Sequence, residues 1–303
     1  MNIISKGIDI SRHQGNFDMS LAVKEGFQFV ILKAGGGDDG LYKDSKFEAN
    51  YNKAKDLGIP VGAYWFSKAL NEEEARKEAD TFAEQLKGKQ FDLPVYMDVE
   101  HRAMLDLGKR KLTDVIHAFC QRMEELGFFV GIYSSKGFFE SYMIDIELQR
   151  YAHWVACWAK ECNYQGEAFG LWQYGGETNY IRSNKVAGVV CDQNYLLRDY
   201  PAEIKAKGLN GFQKPNGSMP KPAPEDDVLV LRHLPNLKKG DSCHPVRALQ
   251  ALLIGNGYSI GMGEQYGTFG DGTENAVKQF QQAMDLADTG EAGCNTWGRL
   301  LGV

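Results

Sequence analysis

Short apolar runs alternate with amphipathic stretches over the first two-thirds of the chain. The pattern predicts strands at residues 6–10, 27–33, 61–66, 93–99 and 128–133. Between them it predicts helices at 20–25, 45–57, 71–86 and 112–126. Gly58, with Pro60 beyond it, stops the second helix. Asn71 caps the third, and Glu72, Glu73 and Glu74 sit in its first turn, where the helix dipole favours negative charge. Three more strands are predicted at 153–158, 170–174 and 186–191, with little helix between them. Strand–helix alternation implies an α/β fold with a parallel sheet and right-handed crossovers. Eight strands with the late helices missing predict an irregular barrel, whose chemistry sits at the carboxyl ends of its strands. Gly35-Gly36-Gly37 lacks the lysine and spacing of a phosphate loop and reads as a flexible loop after the second strand.

The pattern changes after residue 210. Residues 211–225 are rich in Pro, Gly, Ser and Asn, with Pro220, Pro222 and Pro224 alternating, which predicts a semi-extended linker. Residues 226–303 then form a small, mainly helical domain. Val246, Leu249 and Leu253 keep a helical period, as do Val277, Phe280 and Met284, and Trp297, Leu300 and Leu301 make a third apolar cluster. This domain has no paired carboxylates on an apolar strand, which favours a binding module over a second enzyme. The expected division is 1–210, 211–225 and 226–303.

Composition narrows the classes. The net charge of -6 and the lack of a basic stripe argue against a nucleic-acid partner. No apolar run approaches membrane-spanning length, so no membrane partner is expected. The first residues carry no apolar signal segment, and synthesis in the cytoplasm is expected. The six cysteines are irregularly spaced and read as mostly reduced, with Cys157 and Cys191 as small core residues and a Cys243–Cys294 bridge left open. The six histidines show no metal-ligand spacing, so neither metal nor cofactor is expected.

The chemistry concentrates at strand ends. Leu93-Pro94-Val95-Tyr96-Met97-Asp98-Val99-Glu100 reads as a buried strand ending in two carboxylates at i and i+2, which share a face. Close like charges raise the pKa of one partner. One carboxyl group can then hold a proton at neutral pH while the other stays ionised, the division that glycosidic cleavage needs. Asp9 follows the first apolar run and Asp192 the last, so a barrel would gather Asp9, Asp98, Glu100 and Asp192 at one mouth. Tyr64, Tyr133, Trp154, Trp172 and Tyr174 lie near other strand ends and would add an aromatic wall. Four acids could also bind Mg²⁺ or Ca²⁺, but aromatic faces favour a sugar.

Several segments occur in a telling order: GIDIS at 7–11, GAYWFS at 62–67, PVYMDVE at 94–100, GIYSS at 131–135, LWQY at 171–174 and VVCDQN at 189–194. Together they resemble the family 25 glycoside hydrolases, lysozymes of the Chalaropsis type, over about the first two-thirds of the chain. The remainder is similar to a three-helix peptidoglycan-binding domain. Its marks are Lys239-Gly240-Asp241, residues 246–250, residues 269–273, residues 276–281 and Thr296-Trp297. It departs from the usual pattern at Cys243 and Cys294.

The resemblance implies a flattened barrel of five βα units and three further strands. It implies an N-acetylmuramidase that cuts the β-1,4 bond between N-acetylmuramic acid and N-acetylglucosamine in bacterial cell-wall peptidoglycan, as an endolysin or autolysin would. Carried over by position, Glu100 is the general acid and Asp98 the carboxylate that orients the substrate's own 2-acetamido nucleophile. Asp9 and Asp192 support them, Tyr64 lies near the acetamido group, and Tyr133, Trp154, Trp172 and Tyr174 are groove residues. A chitinase-like glycosidase and a non-catalytic wall-binding protein remain as alternatives.

Overall fold

The computed structural model describes residues 2–37, 40–176, 183–213, 234–261 and 267–301. The chain divides into two compact units, Met1–Asn216 and Gly217–Val303.

The first unit runs β1 (Ser5–Ile10), α1 (Met19–Lys24), β2 (Phe29–Gly36), β3 (Tyr42–Lys43), α2 (Phe47–Asp56), β4 (Val61–Phe66), α3 (Glu72–Leu86), β5 (Val95–Asp98), α4 (Arg102–Leu105), α5 (Lys109–Glu125), β6 (Val130–Ser135), α6 (Lys136–Tyr142), α7 (Asp145–Leu148), β7 (Ala152–Ala156), β8 (Phe169–Gly175), β9 (Lys185–Val186), β10 (Val189–Val190), β11 (Asp192–Leu196) and α8 (Tyr200–Lys207). Strands β1, β2, β4, β5, β6, β7, β8 and β11 pair side by side, and β11 pairs back onto β1 to close an eight-stranded barrel. All neighbours are parallel except β11, which runs antiparallel to both β8 and β1. The first five barrel strands are each followed by helix before the next barrel strand, β7 and β8 are not, and β11 leads into α8 at the end of the barrel.

Two faces explain the strand sequences. Outward residues such as Val95, Met97 and Val99 pack under the helices in one large core, while Tyr96 joins Phe29, Ile31, Trp154 and Leu171 inside the barrel. Burying each such side chain contributes roughly 1.5–3 kcal/mol. Helix α3 starts where predicted: the Asn71 side chain accepts from the Glu74 N–H at 2.9 Å, a cap worth about 1 kcal/mol.

Three sequence expectations need correction. The closing strand is Asp192–Leu196, whereas residues 185–190 form a small separate hairpin of β9 and β10. Gly35 and Gly36 are not a loop: they lie in β2, paired with β3 and β4. A β-carbon at Gly35 would collide with the Tyr42 carbonyl and the Trp65 ring, so close approach, not flexibility, requires glycine there. Of the expected linker, residues 214–225 lie outside the described residues. Residues 211–213 belong to the first unit, where the Gly211 carbonyl accepts from Gln90 Nε2 at 3.2 Å.

The second unit packs α9 (His244–Gly255), α10 (Asp271–Ala283) and α11 (Cys294–Leu301) around Leu237, Val246, Leu249, Leu253, Phe269, Val277, Phe280 and Trp297. Met284 and Leu301, expected in its core, are exposed because each falls at a helix end. No described helix is long and apolar enough to cross a membrane. All six cysteines are free, with Cys243 and Cys294 exposed.

Candidate active site

Strand parity builds the site. On β1, Ile8 and Ile10 pack outward, so Asp9 faces the barrel interior. On β5, Tyr96 is interior and Asp98 follows it on the same face, with Glu100 just past the strand end. On β2, Phe29 and Ile31 are interior, which brings Lys33 to the same mouth. The antiparallel β11 begins where its neighbours end, so Asp192 stands at the mouth directly beside Asp9. Asp192 was expected at the carboxyl end of a strand. It lies at an amino end, and the reversed direction of β11 brings it to the same place.

The acids differ in environment. Asp98 is 3% exposed, and its Oδ1 has no hydrogen-bond partner in the protein. Burial, and then the neighbouring Glu100, push its pKa well above the usual carboxylate range, with Lys33 pulling the other way. Glu100 is open to solvent at its tip, yet the surrounding protein still raises its pKa, with Lys33 again opposing. Both carboxyl groups are thus pushed toward their protonated forms, Asp98 while sealed from water and Glu100 while exposed to it.

Asp9 is also buried, and burial pushes it up to about 6 against the pull of two hydrogen bonds. Both donors meet at Oδ2: Asn194 Nδ2 at 2.8 Å and Gln173 Nε2 at 3.1 Å. Asp192 is half-buried and packs against Gly176, where any β-carbon would strike its carboxylate.

The five aromatic residues divide by the same parity. Tyr64, Tyr133 and Trp154 face inward and pack together, with ring centroids 4.4 Å apart and tilted for Tyr133 and Trp154 and 5.9 Å apart and edge-on for Tyr64 and Trp154. Tyr64 and Tyr133 are half-buried in the mouth beside the acids. Trp154 is fully buried and forms the floor, its Nε1 donating to Asn194 Oδ1 at 2.8 Å. Trp172 and Tyr174 do not join them: they point outward into the helical layer, where Trp172 Nε1 donates to the Cys157 carbonyl. In W-Q-Y at 172–174 the inward residue is Gln173.

Sequence reasoning did not name Lys33, Trp158, Gln173 or Asn194 as site residues. Lys33 is half-buried with its Nζ 4.6 Å from the Phe66 ring centroid. Trp158 is 37% exposed just beyond β7, and its Nε1 donates to Gln173 Oε1 at 3.0 Å. Gln173 and Asn194 sit within the quoted LWQY and VVCDQN segments, so the signal was present but strand parity was not.

Among the described residues no three His, Cys, Asp or Glu side chains gather to hold a metal ion. A separate cavity of 450 Å³ opens around Phe129, Tyr151, Arg198 and Tyr200, and no mouth acid lines it. The mouth thus combines a sealed carboxylate, a solvent-facing carboxyl group two residues on, two supporting aspartates and aromatic faces. That set can protonate a leaving oxygen and stabilise a cationic centre.

Comparison with known proteins agrees with the geometry. Residues 244–300 match a peptidoglycan binding domain. The chain is 38% identical over 99 residues to Lysozyme M1 of Streptomyces globisporus, a match that covers 32% of this chain and 33% of that protein. It is 24% identical over 299 residues to the autolytic lysozyme of Clostridium acetobutylicum, covering 97% of this chain and 78% of that protein. The bacterial lysozyme of Streptomyces coelicolor superposes with a TM-score of 0.54 at 26% identity, over 69% of this chain and 98% of that one. Residues 8–182, more than half of the chain and the stretch that carries Asp9, Asp98 and Glu100, match the glycosyl hydrolases family 25, and the chain belongs to that family of glycoside hydrolases.

Proposed function

We propose that this protein is a peptidoglycan hydrolase, a lysozyme that cleaves the β-1,4 bond between N-acetylmuramic acid and N-acetylglucosamine with retention of configuration. The observation that carries the reading is Asp98 Oδ1, a buried carboxylate oxygen without a partner beside a solvent-facing Glu100. A buried polar atom left unpaired is costly unless a ligand satisfies it. The N–H of a 2-acetamido group is a donor of the right kind. Its hydrogen bond would hold Asp98 as the carboxylate and turn the acetamido oxygen toward the anomeric carbon. The same sugar would cover Glu100 and strip its water, which raises its proton affinity. Glu100 then holds its proton and donates it to the departing glycosidic oxygen. Attack by the acetamido oxygen gives a cyclic intermediate, and water activated by the Glu100 carboxylate opens it with net retention.

Asp9 and Asp192 support this pair, and Tyr64, Tyr133 and Trp158 line the sugar path. Residues 1–210 act as the catalytic barrel. The stretch from residue 214 to 225 is the tether, and residues 226–303 hold the wall and raise the local substrate concentration without touching the chemical step. The lysozyme relatives and the binding-domain match support a role in wall lysis of the autolysin or endolysin kind.

Mass spectrometry of fragments released from purified walls tests the reading. New reducing ends on N-acetylmuramic acid are expected. Reducing N-acetylglucosamine ends, or cut peptides with intact glycan, would contradict it.

A further inference from the structure

Gln173 is the most connected polar side chain of the mouth. It is 2% exposed on the inner face of β8. Its Nε2 donates to Asp9 Oδ2 at 3.1 Å, and its Oε1 accepts from Tyr133 OH at 3.0 Å and from Trp158 Nε1 at 3.0 Å. Two O–H or N–H donors converge on the carbonyl end, so the amide orientation is fixed and its NH₂ end must face Asp9. A donor at that point favours the ionised form of Asp9. The Asp9 carboxylate needs such help, because its surroundings oppose charge. Glu100 and Asp98 face it from the end of β5, Asp192 stands beside it on β11, and Cys191, Tyr64 and Tyr133 enclose it. The cation at this mouth, Lys33 on β2, acts on Asp98 and Glu100.

The other end of Gln173 reaches the surface. Trp158 exposes its ring while its N–H is tied inward, so the indole plane is set by the same amide that sets Asp9. We infer that Gln173 is a positioning residue that couples the sugar-stacking indole of Trp158 to the charge on Asp9. One amide then serves two separable tasks, substrate hold through Oε1 and carboxylate ionisation through Nε2. This inference rests on the proposed reading of the mouth as the working site.

Two substitutions separate the tasks. Gln173→Glu keeps an acceptor for Trp158 and Tyr133 but puts a second carboxyl group in place of the donor to Asp9. Gln173→Met removes both functions at similar size. Turnover on soluble glycan fragments would be followed across pH, with melting of each variant as the check on folding. Gln173→Glu should keep KM within about twofold while the acidic limb of kcat moves up by about one pH unit, the scale of one hydrogen bond to a carboxylate. Gln173→Met should show the same direction of shift and a KM raised about three- to tenfold. Folded variants whose pH profile stays in place, or whose loss is equal at every pH, would overturn the inference. So would failure of both to fold, since Gln173 would then be structural alone. If instead the unsubstituted protein releases no reducing muramic ends, the functional reading falls first, and the two failures are told apart.

Discussion

Three of the four glutamines that are almost wholly buried among the described residues do different work in the two units. In the second unit, Gln250 Nε2 donates to the Thr268 carbonyl and to Thr273 Oγ1, while its Oε1 accepts from Gly267 N–H. Gln281 likewise donates to the Glu291 carbonyl and to Thr296 Oγ1 and accepts from Gly290 N–H. Their partners are mainly loop backbone, and each amide ties a turn to a helix. In the first unit, Gln173 touches a carboxylate and two aromatic side chains. All three are buried and each makes at least three hydrogen bonds. What differs is whether the network ends on backbone or on groups that can titrate and meet solvent. A saturated buried amide is thus structural by default, and functional when its partners are themselves the chemistry.

The sharpest way to probe this contrast is to remove a charge at the mouth. Asp9 is carried at a pKa of about 6, above the 3.8 of a free aspartate. A carboxyl group raised on folding favours its neutral form in the folded state. Its contribution is therefore most favourable below the unfolded pKa and is lost as pH rises toward 6. Asp9→Asn keeps the acceptor for Asn194 and Gln173 and removes the buried charge. Turnover should fall by at least about tenfold, yet stability at pH 7 should rise by roughly 1–3 kcal/mol. Calorimetry at pH 7 and pH 4 checks this, because the gain should vanish at the lower pH. A loss of stability at pH 7 would place Asp9 among the structural groups.

The smaller effect belongs to the second unit. Gln281→Leu strands Gly290 N–H and loses the three bonds of Nε2 to the Glu291 carbonyl, Thr296 Oγ1 and Thr289 Oγ1, and should destabilise that unit by about 2 kcal/mol. Turnover on soluble glycan fragments should not change, since the mouth residues lie in the other unit. Reduced turnover on those fragments would erase the division between backbone-tying and chemistry-holding amides.

Much of the barrel was legible in the sequence because its signals are local. Apolar runs, the Asn71 cap and the Gly58 stop fix where strands and helices begin and end. Asp98 and Glu100 were legible because a spacing of two puts both on one face whatever the rest of the sheet does. Parity between strands was not legible. Nothing within Trp172-Gln173-Tyr174 says which set points inward. That choice is made by Leu171 below and by the neighbours of β8. The closing strand was misplaced for a related reason. Residues 186–191 are as apolar as the strand that follows them, and only the pairing of Asp192 with Asp9 marks where the barrel resumes. The difference in burial between Asp98 and Glu100 was likewise hidden, because it depends on which carboxyl group the folded barrel leaves open to water.

The central claim is that Glu100 delivers a proton to the leaving oxygen while Asp98 serves the other face. It is tested most directly by measuring Glu100→Gln on two substrates that differ only in leaving group. On a natural glycan the variant should lose at least about 10²-fold in kcat, since the departing sugar oxygen needs an acid. On an aryl glycoside whose phenolate leaves without a proton, most of that loss should disappear. An equal loss on both substrates, or near-normal cleavage of the natural glycan, would contradict the account.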